Sequence, residues 1–309
     1  MKVVFLGTDE YAASHLRCLL EKGIDVVLAV SQPDRPKGRG RKLLPTPVKE
    51  IALKCGLEVI QPQKLTKEIA KRLSNFDIGI VVSYGKVIPE SVFAAPRYGM
   101  FNVHPSLLPR WRGAAPIQRA LEAGDTEIGV TIFRVEKELD SGPIALQEKL
   151  KIGEYETYGE LEKRLINLGC DMLIEFLRLV EDERIDLRPQ EGRPVYARKI
   201  SKDDTMVDFS ADAIGVKNKI RAYDPKPGAW ALLREERVKL FGVKGVYLDV
   251  YEPFGKILKI SREGGVISCG SGAVLVEKIQ FPGRKPVSFQ DALNGRLLSE
   301  GMSFKKKSL

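Results

Sequence analysis

Within its first 104 residues the chain alternates short, almost wholly apolar runs with segments whose apolar residues recur every three or four positions. Lys2–Leu6 is such a run and ends at Gly7, after which Ala12, Leu16, Leu19 and Leu20 fall on one helical face up to Gly23. Asp25–Val30 reads as a second strand. Thr46 and Pro47 are good cap and first-turn residues for a helix carrying Val48, Ile51, Ala52 and Cys55. Leu57–Ile60 follows as a strand, and Thr66 can cap a helix with Ile69, Leu73 and Phe76 inward. Asp77–Ser83 and Met100–His104 then read as buried strands. Strand, helix, strand, helix at this spacing predicts a doubly wound, mostly parallel sheet covered on both faces. Runs this apolar fit strands that meet no water on either side. In such a sheet the ligand crevice lies beyond the carboxyl ends of the strands.

The first turn, Gly7-Thr8-Asp9-Glu10-Tyr11-Ala12, lacks the later glycines that let a pyrophosphate approach a helix start. Its two acids would repel phosphate, so neither a nicotinamide nor a flavin cofactor is expected. A chain of 309 residues predicts two domains. Residues 155–182 form a long amphipathic helical pattern, and the polar stretch Arg188–Arg193 reads as the start of a linker. From about Ser201 the texture changes. A helical pattern at Ala211–Ala222 precedes short strand-like runs at Val238–Val243, Ile257–Ile260, Val266–Ser268 and Val274–Ile279. Gly-containing turns separate these runs, which suits a small antiparallel barrel. The expected division is 1–187, a linker over 188–204, and a second domain over 205–309.

Only the four apolar residues Val3–Leu6 follow Lys2 before Gly7 and polar residues intervene, too few for a secretory leader or a membrane span, so a cytoplasmic protein is expected. The net charge of +9 is uneven. Residues 1–200 hold 31 basic against 28 acidic side chains, and residues 201–309 hold 19 against 13. That surplus favours a polyanionic partner. Cys18, Cys55, Cys170 and Cys269 have no metal-site or redox spacing. The first three lie in helical apolar patterns and are expected to be small buried hydrophobes. No metal is expected.

Of the two histidines, His15 sits among apolar residues of the first helical pattern and reads as structural. His104 ends an apolar strand that Pro105 stops. Side chains alternate along a strand, so Asn102 and His104 share one face, and both project at the crevice end. An amide N–H and an imidazole N–H aimed at one point suit an oxygen that gains negative charge during acyl transfer. No Gly-x-Ser-x-Gly elbow and no nearby cysteine offers a nucleophile, so the nucleophile should come from a substrate amine. A carboxylate would orient the imidazole. Asp140 lies between the extended runs Val130–Glu138 and Pro143–Leu150, although Asp140-Ser141-Gly142 is also ordinary turn chemistry.

Read whole, Asn102-Val103-His104-Pro105-Ser106-Leu107-Leu108-Pro109, with Asp140-Ser141-Gly142 downstream, resembles the signature of the 10-formyltetrahydrofolate-dependent formyltransferases. The resemblance extends through Gln32-Pro33-Asp34-Arg35-Pro36 and Trp111-Arg112-Gly113-Ala114-Ala115-Pro116, and it is stronger before residue 200 than after. It implies a Rossmann-like formyltransferase domain followed by an OB-like barrel, with Asn102, His104 and Asp140 as catalytic residues. It also implies a formyl donor, 10-formyltetrahydrofolate, bound by Ser106, Leu107, Leu108 and Pro109 and by Val82, Tyr84 and Gly85. Its nearest pattern within the family implies a charged initiator tRNA as acceptor, and a monomer. Residues 35–42 place five cations in eight positions after the second strand, beyond the same sheet edge as His104. Arg35, Lys37, Arg39, Arg41 and Lys42 are therefore expected to meet tRNA phosphates, with Arg39 near the first base pair. An amino-sugar nucleotide is the alternative acceptor. A non-catalytic RNA-binding protein is the alternative of another class, and it leaves the three site residues without a reason.

Overall fold

The structure, a computed structural model, describes residues 1–37 and 42–305. Its elements run β1 (Val3–Gly7), α1 (Glu10–Glu21), β2 (Val26–Val30), β3 (Arg35–Lys37), β4 (Lys42–Leu44), α2 (Pro47–Lys54) and β5 (Glu58–Ile60). Next come α3 (Lys67–Leu73), β6 (Ile78–Val82), α4 (Glu90–Phe93), β7 (Met100–His104), β8 (Arg112–Gly113) and α5 (Pro116–Ala123). They continue through β9 (Glu127–Arg134), β10 (Ile144–Lys151), α6 (Tyr158–Glu181), β11 (Tyr196–Ala197) and α7 (Ala213–Ala222). The remainder is β12 (Ala229–Leu233), β13 (Glu236–Tyr247), β14 (Ile257–Ser261), β15 (Gly264–Ser268), β16 (Ala273–Gln280), β17 (Val287–Ser288), α8 (Phe289–Asn294) and β18 (Phe304–Lys305). No helix among the described residues is long and apolar enough to cross a membrane.

The chain divides into two compact units. Residues 1–114, 128–150 and 162–197 form the first, and residues 115–127, 151–161 and 198–309 the second.

In the first unit a seven-stranded sheet runs β10-β9-β7-β6-β1-β2-β5. The pairings of β1, β2, β5, β6 and β7 are parallel, and β9 lies antiparallel to β7. The apolar runs are buried on both faces, as their composition requires: every residue of β1 and of β6 is buried. Val4, Leu6, Leu28, Val30, Leu73, Val81 and Met100 form one continuous core cluster. Gly7 is dictated by close approach, since a Cβ there would stand 2.7 Å from Ala12 Cβ and 2.9 Å from the Val82 carbonyl oxygen. Asp9 caps α1, accepting from the Ala12 N–H at 3.1 Å, and it also accepts from the Ser83 hydroxyl. His15 is fully buried, and its Nδ1–H donates to the Tyr11 carbonyl at 2.8 Å. Burial lowers its pKa to about 4, so the ring is neutral near pH 7.

The cysteine expectation needs correction. All four thiols are free, and Cys170 is buried, but Cys55 is exposed and Cys18 only partly buried. Cys55 is the C-cap residue of α2, one position past the helix face that the apolar spacing marks out.

In the second unit the antiparallel path is β14-β15-β16-β13-β12-β18, with β17 beside β16. Its two ends approach each other. Ile257 N–H donates to Met302 O at 2.7 Å and Phe304 N–H to Gly255 O at 2.8 Å. The sheet thereby curls into a barrel-like unit. A register shift between Val243 and Gly245, beside Gly242 at φ +67°, supplies curvature in the longest strand. Phe289 of α8 is fully buried and sits where a Cβ on Gly265 would strike its ring. Arg119 of α5 pairs with Glu122 at 2.6 Å and Asp204 at 3.1 Å, and Lys219 of α7 meets Glu122 at 2.6 Å.

Candidate active site

The strands of the parallel set end along one edge: Gly7 of β1 is level with Val82 of β6, Leu6 with Val30 of β2, and Val81 with Asn102 of β7. His104 extends two residues past Asn102 and is paired with Thr131 of β9. Asn102 is partly buried and His104 buried, with Val103 between them on the other face of the sheet. The pleat thus places the amide and the imidazole together, as alternation predicts.

The imidazole is fixed by backbone rather than by another side chain. Its Nε2 lies 2.9 Å from the Trp111 carbonyl oxygen, an acceptor only, so Nε2 carries the hydrogen and donates it. Nδ1 faces Asp140, whose Oδ2 lies 3.9 Å away. That separation exceeds a direct hydrogen bond and is short enough for an ion pair with an imidazolium. The same Oδ2 accepts from the Gly113 N–H at 2.8 Å. Residues 111–113 therefore hold both members of the pair, the ring through one carbonyl and the carboxylate through one N–H. Sequence separation brings no penalty here, because the turn after β9 folds back over the end of β7.

Three non-glycine residues at this sheet edge occupy the left-handed region: Ser83 at φ +46°, Trp111 at φ +66° and Asp140 at φ +49°. Such conformations cost about 1 kcal/mol or more each and persist where surrounding bonds over-determine them. Gly142 has a different constraint. A Cβ at that position would stand 1.8 Å from the Arg134 carbonyl oxygen, so only glycine lets the Asp140 turn close onto β9.

Ser106–Pro109 follow β7 directly and are tied to β9 and β10. The Thr131 hydroxyl donates to the Ser106 carbonyl at 2.6 Å and accepts from the Leu108 N–H at 3.2 Å. Gln147 Nε2 donates to that hydroxyl at 2.9 Å and to the Leu108 carbonyl at 3.0 Å. Ser106 and Leu108 are buried, whereas Leu107 and Pro109 are partly exposed. Across the parallel pair, Val82 is fully buried, and Gly85 takes φ +75°. The Tyr84 ring belongs to the core cluster at 2% exposure. The Tyr84 carbonyl accepts from Thr8 Oγ1 at 2.9 Å and Gln32 Nε2 at 2.7 Å. Any ligand contact made by Tyr84 is thus through its main chain.

The basic segment begins and ends in a short hairpin, with Arg35 paired to Leu44 and Lys37 to Lys42, where the sequence reads as loop throughout. The Arg35 guanidinium donates to Gln32 Oε1 at 2.7 Å. Arg39 and Arg41 lie outside the described residues. No group of three or more His, Cys, Asp or Glu residues able to hold a metal ion exists among the described residues.

A family model described as formyl transferase matches residues 1–177, and one described as the formyl transferase C-terminal domain matches residues 199–297. The chain belongs to the formyl transferase family. Among relatives, the methionyl-tRNA formyltransferase of Thermosipho melanesiensis is 50% identical over 98% of this chain and 99% of its own length. That of Thermotoga neapolitana is 52% identical over 98% of this chain and 97% of its own. An N-formyltransferase from Helicobacter canadensis, solved with folinic acid and dTDP-3-aminofucose, superposes with a TM-score of 0.67 at 17% identity. The match covers 89% of this chain and 98% of that one, and at this identity the likeness is one of fold.

Within this formyl transferase, the residues that sequence reasoning missed are those supporting the site: Thr131, Gln147 and Gln190. Thr131 lies in β9 and Gln147 in β10, Gln190 is one of several polar residues in the stretch Arg188–Arg193, and no periodicity marks any of the three. Arg112 and Gly113 were visible as part of the extended signature, without a role attached.

Proposed function

We propose that this chain transfers the formyl group of 10-formyltetrahydrofolate to the free α-amine of methionyl-initiator tRNA. The observation that carries the proposal is 50–52% identity, over nearly the whole of both chains, to proteins named methionyl-tRNA formyltransferase. Asn102, His104 and Asp140 are assigned the chemistry, residues 1–187 the catalytic domain, and residues 205–309 the tRNA-binding domain joined through 188–204. The protein acts in the cytoplasm as a monomer.

Bound between the loops after β6 and β7, the folate supplies an electrophilic formyl carbon attached to N10. The acceptor amine attacks as the free base, and an α-amine with a pKa of roughly 8 is partly neutral at working pH. Negative charge gathers on the formyl oxygen as the new C–N bond forms. The Asn102 amide N–H and the His104 Nδ1–H meet that charge, each donor lowering the barrier by on the order of 3 kcal/mol. Since Nε2–H is committed to the Trp111 carbonyl, a donating His104 holds protons on both nitrogens. Asp140 is the counter-ion of that imidazolium. Asp140 also receives the proton that the attacking amine releases, and the departing N10 nitrogen takes up a proton as the old C–N bond breaks. Ser106, Leu107, Leu108 and Pro109, with the main chain at Val82, Tyr84 and Gly85, hold the folate. Arg35, Lys37, Arg39, Arg41 and Lys42 meet phosphates of the acceptor stem.

An acceptor assay tests the proposal. With 10-formyltetrahydrofolate as donor, charged initiator tRNA is formylated and a dTDP-amino sugar is not. Transfer to the sugar nucleotide with none to the tRNA would reverse the assignment of acceptor while leaving the chemistry in place.

A further inference from the structure

Gln190 lies in the polar stretch between α6 and β11, outside every motif of the family signature. All four hydrogen-bonding positions of its amide are used. Nε2 donates to the Asp140 carbonyl at 2.9 Å and to the Gly142 carbonyl at 2.9 Å. Oε1 accepts from Arg112 Nε at 3.1 Å and from Arg112 Nη2 at 2.6 Å. The backbone on either side is stitched down as well. Arg188 and Ile144 exchange both N–H···O bonds, at 2.7 and 3.0 Å, and Val195 donates to Pro109 O at 3.2 Å while accepting from Arg112 N–H at 2.8 Å.

Arg112 stands between Trp111, whose carbonyl fixes the His104 ring, and Gly113, whose N–H fixes the Asp140 carboxylate. Gln190 therefore ties the backbone of the aspartate turn to the one segment that also holds the histidine. We infer that Gln190 is a positioning residue for formyl transfer, setting the distance and direction of the Asp140 carboxylate relative to His104. The inference rests on the proposed roles of His104 and Asp140. The amide is the side chain the task requires, because it must donate to two carbonyls on one side and accept from a guanidinium on the other. A glutamate would keep the bond to Arg112 and present oxygen to two carbonyl oxygens. Asp140 holds φ +49°, and Leu139 beside it is 61% exposed, so packing alone does not secure this turn.

The test compares Gln190→Ala and Gln190→Glu in the full-length enzyme, each alone and combined with Asp140→Asn, by single-turnover transfer to methionyl-tRNA. Both single variants lose on the order of 10²-fold in the transfer step, with KM for folate and for tRNA little changed. Added to Asp140→Asn they cause no further loss, because a residue acting through Asp140 has nothing left to position. An equal fold-loss in both backgrounds, a change confined to KM, or a wild-type rate would each overturn the inference. Proton NMR gives a readout independent of activity, since the chain has only two histidines. The His104 ring resonances move in Gln190→Ala and those of His15 stay; unmoved His104 resonances would also overturn it. Should Asp140→Asn alone retain the wild-type rate, the roles assigned to the trio fail, and that result is distinct from a failure at Gln190.

Discussion

The Trp111 carbonyl decides what His104 can do. With one ring nitrogen committed to a fixed acceptor at 2.9 Å, the other is the only one left to face a substrate, and it faces Asp140. A neutral ring in this orientation offers a lone pair, and a charged ring offers a proton to a developing oxyanion. His104→Ala and Asn102→Ala are therefore expected to reduce kcat by about 10²- to 10³-fold each in protein that still folds, measured by steady-state formylation and thermal unfolding. His15, the second histidine, behaves differently for a physical reason. It is fully buried and gives one hydrogen bond to a carbonyl of its own helix. Its pKa falls from 6.5 to about 4 on folding. Between those two values the unfolded chain binds a proton that the folded chain does not, so stability declines as pH falls through that window. The decline from this group amounts to about 3 kcal/mol and is complete below pH 4. Urea unfolding at pH 7 and pH 4 should show that His15→Asn shrinks the difference between the two by about this amount. An unchanged difference would mean that other groups dominate the acid limb.

At the scale of elements, the site is a product of where strands end. Alternation along Met100–His104 was enough to put Asn102 and His104 on one face, and the burial of β1 and β6 on both sides followed from their composition. Asp140 was not legible from pattern. Its turn chemistry is ordinary, and its approach to His104 depends on β9 pairing antiparallel with β7, which no local spacing encodes. The two-residue strands at Arg112–Gly113 and Tyr196–Ala197 are too short to carry a period at all. Cys55 was misread because a helical apolar pattern was extended one residue past the end of its helix. The Ser106–Pro109 loop shows how much support comes from outside the signature. Thr131 uses its one donor and two acceptor positions to hold Ser106, Leu108 and Gln147. Thr131→Val keeps the volume and removes all three bonds, leaving buried groups unpaired at about 1–3 kcal/mol each. KM for 10-formyltetrahydrofolate should rise about tenfold or more, with a smaller effect on KM for tRNA. Steady-state kinetics with each substrate varied in turn decides this, and an equal rise in both would remove the loop from folate binding.

For the whole molecule, charge and relatedness point to the same class of partner. The net charge is +9, and the surplus of basic side chains is larger in residues 201–309 than in residues 1–200. A partner held by phosphate contacts is released by salt, with a log–log slope of a little under one for each phosphate neutralised. KM for tRNA should thus rise steeply between 50 and about 200 mM salt, whereas KM for folate should stay nearly flat. Parallel salt dependences would argue against a phosphate-reading surface. The proposed activity requires one reaction to occur at the end of β7. The most direct measurement is single-turnover formation of formyl-methionyl-tRNA from 10-formyltetrahydrofolate by the full-length protein and by its Asp140→Asn variant. Rapid transfer by the first and a loss on the order of 10²-fold or more in the second is the expected result. No formyl-methionyl-tRNA from the wild-type protein, or equal rates from both, would contradict it.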